Sequence, residues 1–422
     1  MGTMTDTEAT AAADLLMGRI ERLATLTEGP GMLVRRSFTP EATEANRLVG
    51  DWMRQAGMAV RTDAVCNLIG RYEGTAPGAK TLILGSHLDS VRDAGKYDGP
   101  LGVLTALACA EHLHRAGRRL PFALEVIAFT DEEGLRFRTS YVGSSAVSGA
   151  FDPAWLEIAD ADGITMAAAM RAAGGDPTAI RSCRYDPDRV IGYCEAHIEQ
   201  GPALEDIDLP VGVVSAISSQ ERATVTFTGV AGHAGTVPMR LRHDALCAAA
   251  AFVLAVESAA AGTPGAVATV GQLSVSPGAS NVIPGTTTLS LDVRHRDDAQ
   301  RAAVARNLRD TAEQIATERK VRMDWQPVQQ TPATPCAPAL VAILAGAIES
   351  LGIPAHHLPS GAGHDGVPLS HLTQVAMLFV RCAGGISHNP AESVAVEDVA
   401  VAIEVLWRSL DSLAIDPAFA AS

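Results

Sequence analysis

Short apolar runs set off by turn-forming residues mark the first half of the chain, and from about residue 213 the pattern tightens into strands alternating with two helices. Thr81–Leu84 and Phe122–Phe129 read as apolar strands, Tyr193–Gly201 as a strand-like run, and Gln374–Val380 as a strand near the end. Leu101–Ala116 is apolar enough to form a buried helix. The later stretch orders as strand (Arg222–Thr228), helix (Asp244–Ala259), strand (Val267–Leu273), strand (Thr286–Arg294), helix (Asp297–Glu318) and strand (Val321–Gln326). That β-α-β-β-α-β succession suits a four-stranded sheet with both helices on one face, a small ferredoxin-like α+β unit.

The pattern therefore predicts an α/β chain of two domains, the larger with a central mixed sheet flanked by helices. A boundary falls after Leu209-Pro-Val-Gly212, and proline-rich Thr331–Pro338 reads as the return, so residues 1–212 and 332–422 enclose an insertion of 213–331. A chain of 422 residues exceeds one ordinary core, and 47% hydrophobic residues suffice for two. The balance of 33 Lys and Arg against 48 Asp and Glu, a formal charge of -15, argues against nucleic acid or an anionic membrane as partner. Seven cysteines, odd in number and without a Cys-x-x-Cys pair, fit reduced thiols in the cytoplasm. Met1–Ala13 shows no secretory pattern, and the longest apolar stretch, Ala245–Val256, falls short of the roughly 20 residues a membrane-spanning helix needs.

Five residues have the types and settings of metal ligands. His87 follows a strand, and Asp89, two positions on, can orient its imidazole. Asp98 sits in a glycine-flanked loop before a helix, where a carboxylate is favoured with or without a cation. Asp131-Glu132-Glu133 ends a second strand; alone it reads as a solvated turn, but beside a parallel neighbour its acids face the same crevice as His87. Glu132 and Glu133 can then divide the work between general base and ligand. His197 and His388 lie in or after two further strands, and with 12 histidines in the chain only the joint pattern is specific.

That ordered set resembles the di-zinc amidohydrolases related to aminoacylases and zinc carboxypeptidases, and more narrowly the allantoate amidohydrolases and N-carbamoyl-L-amino-acid hydrolases. The likeness runs from about Leu33 to the last helix. It implies a zinc-peptidase-like catalytic domain interrupted by a lid and dimerisation domain, with two divalent ions per chain, zinc before manganese, cobalt or nickel. His87 and His197 would bind one ion, Glu133 and His388 the other, and Asp98 both. Glu132 would be the base that activates the attacking water, and Asp89 the partner of His87. The peptidase relatives generally use a carboxylate where this chain has His197, which points to the ureido-cleaving branch.

The insertion carries His233 and Asn281 in glycine-containing turns and Arg294 at a strand end, each of which singly is more simply a turn former or a solvated edge. By resemblance, Arg222, Asn281 and Arg294 match contacts to a substrate carboxylate, His233 reaches the active site of a partner subunit, and Gln200 and His364 line the ureido pocket. The implied protein is a homodimer through the insertion, hinged near Gly212 and Pro332, that acts on a small ureido carboxylate. Allantoate is placed first, on the likeness around Phe151–Asp176; N-carbamoyl-L-amino acids and N-carbamoyl-β-alanine are the alternatives. A non-catalytic binding protein on this fold is disfavoured, because binding alone has no need of Glu132.

Overall fold

The structure, a computed structural model, describes residues 4–416 and Phe419. It divides into two compact units, one of Met1–Ser215, Cys336–Leu358 and Ala362–Ser422, the other of Ala216–Pro335 and Pro359–Gly361. In chain order the principal elements are helix α1 (Asp6–Ala24), α2 (Pro40–Gln55), strands β1 (Ala59–Thr62), β2 (Leu68–Tyr72) and β3 (Thr81–His87), α3 (Pro100–Arg115), β4 (Ala123–Phe129), β5 (Val190–Ile198) and β6 (Val211–Ile217). There follow β7 (Ser219–Thr228), α4 (Ala245–Ala261), β8 (Val267–Thr269), β9 (Leu273–Ser276), β10 (Thr286–His295), α5 (Asp298–Arg319) and β11 (Arg322–Thr331). The chain then returns through α6 (Pro338–Glu349), β12 (Val375–Val380) and α7 (Val396–Ile415).

In the first unit the sheet order is β1-β2-β4-β3-β5-β12-β6. Its middle, β4, β3, β5 and β12, is parallel, and β2 and β6 add to it antiparallel. Every residue of β3 and β4 is buried, as a parallel sheet covered on both faces requires. Helix α3 explains one cover: apolar nearly all round, it packs on β3 and β5 and leaves almost no side for water. Helices α1 and α7 pack together over it, and Trp407 is buried in the same core. Helix α1 is started by a reciprocal cap in which Thr5 and Glu8 satisfy each other's backbone N–H.

The second unit is an antiparallel sheet, β9-β10-β7-β11, with β8 also on β10. Burial alternates strictly along β10, and its inward residues Leu289, Leu291 and Val293 meet Phe227 and Phe252 in one core with α4 and α5. The single strand expected over Val267–Leu273 is a correction: the structure breaks it into β8 and β9, so five strands stand where four were expected. The interruption holds Gly271, and there Ser290 Oγ takes the Gln272 N–H at 2.9 Å in place of a ladder carbonyl. All seven cysteines are free thiols, six of them buried. Among the described residues no helix is long and apolar enough to cross a membrane.

Candidate metal centre

Four parallel strands deliver the site from their carboxyl ends. His87 closes β3 opposite Phe129 of β4, so Glu132 and Glu133 leave β4 beside it, and His197 lies near the end of β5, in register with Phe379 of β12. The loop after β12 carries His388. Asp98 enters from the loop before α3, and Gly99 is obligatory there: its φ is 83°, and an added Cβ would lie 2.5 Å from the His87 ring.

Asp98, almost completely buried, is the hub. Its Oδ1 lies 3.1 Å from His197 Nε2 and 3.6 Å from His87 Nε2, and its Oδ2 lies 3.1 Å from His388 Nε2. His388 Nε2 is also 3.8 Å from Glu133 Oε1. Two groups thus share one carboxylate, His87–Asp98–His197 and Asp98–Glu133–His388, each with its ligand atoms within 4.8 Å of one another. His197 Nε2 is buried and makes no aligned hydrogen bond despite its closeness to Asp98, which is how a nitrogen prepared for a cation stands. Nitrogen and oxygen donors in this number fit divalent metal.

The rear of the imidazoles is fixed by backbone. His87 Nδ1 is 3.0 Å from the Asp89 carbonyl and His197 Nδ1 is 2.9 Å from the Ile198 carbonyl, which leaves each Nε2 to the front. The Asp89 carboxylate, expected to orient His87, stands 3.7 Å from its ring and also accepts the N–H groups of Glu132 at 3.3 Å and Glu133 at 3.2 Å. Gln200 Nε2 donates to Asp98 Oδ2 at 2.8 Å, and His364 packs edge-on against His197 with ring centres 4.6 Å apart. Asp131, Gln200 and His388 all hold positive φ, so left-handed backbone clusters where the ligands are aimed.

Electrostatics follow from crowding acids in a dry place. Burial pushes the Glu132 carboxyl well above the usual carboxylate range, with the charge of Glu133 adding to it. Glu133 is pushed up to about 7 by burial and by the charge of Asp98. Burial opposes ionisation of Asp98 too, yet its contacts with His197, His388 and His87 hold it well below that range. The Asp98 contact raises His388 to about 9, whereas burial drops His364 well below the usual histidine value and keeps it neutral. Such a set of acids is balanced by cations.

One further support, Arg35, has no local signal in the sequence. This guanidinium is fully buried and donates to the carbonyls of Leu88 at 2.6 Å, Leu23 at 2.8 Å and Leu26 at 2.9 Å, pinning the turn between His87 and Asp89.

In the second unit, Arg222 and Arg294 come together on Asp292. Arg222 Nε reaches its Oδ2 at 3.0 Å, and Arg294 reaches Oδ1 and Oδ2 through Nε and Nη2, each at 3.0 Å. Both arginines line an open groove of about 920 Å³. His233 and Asn281 lie elsewhere: they adjoin each other, with His233 opposite Val282 and the Ala234 N–H on the Asn281 carbonyl at 2.9 Å, beyond the Thr286 end of β10. From Thr286 to Arg294 is eight residues (294 − 286), roughly 26 Å at about 3.3 Å each. The expected grouping of Arg222, Asn281 and Arg294 on one carboxylate therefore does not form within a single chain.

Residues 83–412 match the profile of peptidase family M20/M25/M40. An N-carbamoyl-L-amino acid amidohydrolase of Geobacillus stearothermophilus is 44% identical over 384 residues, 91% of this chain and 94% of that one. An allantoate deiminase of Arabidopsis thaliana is 37% identical over 442 residues, 97% of this chain and 84% of that one. The crystal structure of a hydantoinase/carbamoylase family amidase from Burkholderia multivorans matches with a TM-score of 0.90 at 32% identity, covering 96% and 98% of the two chains. The chain belongs to peptidase family M20/M25/M40, and it is a hydrolase whose relatives are amidohydrolases.

Proposed function

We propose that this protein hydrolyses the ureido C–N bond of a small carboxylate-bearing substrate, allantoate in the first place. The observation that carries the proposal is the convergence of His87, His197, His388 and Glu133 on the two oxygens of Asp98, with Glu132 buried beside them. His87, Asp98 and His197 would hold one divalent cation, and Asp98, Glu133 and His388 a second. Zinc suits these donors best, and manganese, cobalt or nickel are compatible. Bound cations lower the pKa of a water towards about 7 and polarise the ureido carbonyl.

The chain's own residues do the rest. Glu132 takes the proton of the attacking water and delivers it to the leaving nitrogen. Asp89 supports that transfer by fixing the backbone of Glu132 and Glu133. Arg222 touches Asp292 through Nε alone, which leaves its two terminal nitrogens to fork the substrate carboxylate, while Arg294 braces Asp292 and the Gly361 carbonyl. Gln200 and His364 border the ureido group. His233, with Asn281 travelling beside it, serves the site of a second copy in a homodimer, where it holds the developing oxyanion. Carbamate breakdown then releases ammonia and carbon dioxide. The working compartment is the cytoplasm, where seven free thiols stay reduced.

N-carbamoyl-L-amino acids are the second reading, favoured by the 44% identity to an amidohydrolase named for them. Ammonia release from allantoate and several N-carbamoyl-L-amino acids, and release of free amino acids from a dipeptide control, with zinc- and manganese-loaded protein, tests both. Release from the ureido compounds alone is expected, and the larger kcat/KM selects between the two readings. Cleavage of the dipeptide with no release from any ureido compound would overturn the proposal.

A further inference from the structure

Glu392 lies four residues beyond His388, is 2% exposed, and has no part in the chemistry above. Its Oε1 accepts the backbone N–H of Tyr97 at 2.8 Å and of Asp98 itself at 3.1 Å. Its Oε2 faces Ser387 Oγ at 3.0 Å. Ser387 Oγ is in turn 3.1 Å from Asp98 Oδ2 and 3.3 Å from Gln200 Nε2. Gln200 donates to Asp98 and to Ser387, and the one Ser387 hydroxyl proton lies between the Glu392 and Asp98 carboxylates, so the three side chains form one network. The loop before Asp98 is shaped to admit this side chain, since a Cβ on Gly95 would come within 2.2 Å of the Glu392 carboxylate.

A buried carboxylate bonded to neutral donors is costly, and a loop could be capped more cheaply by a serine or an amide. What the carboxylate adds is a rigid tie between two ligands from opposite parts of the chain. One of its oxygens fixes the backbone of Asp98, the other fixes the residue before His388, and the two ligand atoms stand 3.1 Å apart. We propose that Glu392 is a positioning residue of the metal centre, which sets Asp98 against His388 and so defines the Asp98–Glu133–His388 site. The proposal rests on the two-cation reading of the preceding subsection.

Zinc titration of the metal-stripped full-length protein against a chromophoric chelator, with thermal unfolding of the same metal-free samples, tests it. Wild type takes up two zinc ions per chain. Glu392→Ala keeps the first affinity and loses about 10–100-fold at the second, the size expected for removing a partner that orients a ligand. Glu392→Gln keeps an acceptor for the two backbone N–H groups but turns an amide towards Ser387, and it falls between, with metal-free stability close to wild type. Unchanged affinity for the second ion in both variants, with only metal-free stability lowered, would make Glu392 a loop support and overturn the inference. Should the alanine variant fail to fold, wild-type affinity for the second ion in Glu392→Gln overturns it alone. A wild-type protein that binds no zinc is a different result, and it overturns the metal reading together with this one.

Discussion

Glu132 and Glu133 are neighbours in sequence, both are driven towards protonation by burial, and only their surroundings separate their tasks. Glu133 faces His388 and the far side of Asp98, whereas Glu132 lies on the side of His87, whose charge opposes its protonation. Glu132→Gln is therefore expected to bind metal as wild type does and to lose about 10²–10⁴-fold in turnover, read by elemental analysis beside steady-state ammonia release. Turnover near the wild-type rate would assign the base elsewhere. Arg35 makes the opposite kind of contribution. Burial lowers its pKa only to about 10, so it is charged at neutral pH, and its loss would strand the carbonyls of Leu88 and Leu26, while that of Leu23 keeps the Leu26 N–H at 3.0 Å. Arg35→Met should cost at least about 2 kcal/mol in urea unfolding, since stranded buried acceptors cost about 1–3 kcal/mol each; a loss below about 1 kcal/mol would mean the guanidinium is dispensable.

Strands β7 and β10 place Arg222 directly opposite Asp292, and the aspartate ties two arginines and Gln220 on one sheet face. Burial works against its ionisation, but hydrogen bonds from Arg294 and then Arg222 prevail and lower its pKa. A lowered folded pKa contributes stability above the unfolded value of about 3.9 and loses it as pH falls through the folded value. Asp292→Asn should thus be less stable than wild type at pH 7 by about 1 kcal/mol and converge with it as pH falls below the lowered folded value. A gap that stays constant across that range would show the carboxylate's charge to be irrelevant. What the sequence revealed at this scale depended on how locally each element is specified. Strands β3, β4 and β12 are buried at every position, so their apolar runs were unmistakable. Strand β8 is half exposed and ends at a glycine-bearing break, which left no run to distinguish it from β9. The ligand types at strand ends were equally legible, but Glu392 acts 294 residues away on Asp98, and Arg35 acts 53 residues away on Leu88; no nearby residue announces either.

The pairing of His233 with Asn281 at one end of β10, away from Arg222 and Arg294, bears on the assembly as a whole. If each site takes His233 from the other copy, two inactive variants complement. His233→Ala retains Glu132, Glu132→Gln retains His233, and their heterodimer rebuilds one complete site of two. Random mixing then restores about a quarter of wild-type activity, because half the dimers are mixed. No recovery on subunit exchange would place His233 in its own chain's site or outside catalysis. Beneath the expectations for the metal centre lies one physical claim, that Asp98 is shared by two cations held by distant parts of one chain. Elemental analysis of purified protein during stepwise metal reloading, with ammonia release followed in parallel, tests it most directly. The account predicts two divalent ions per chain at full activity, and only one in His388→Ala. Full activity with one ion per chain or none, or two ions retained without His388, would contradict it.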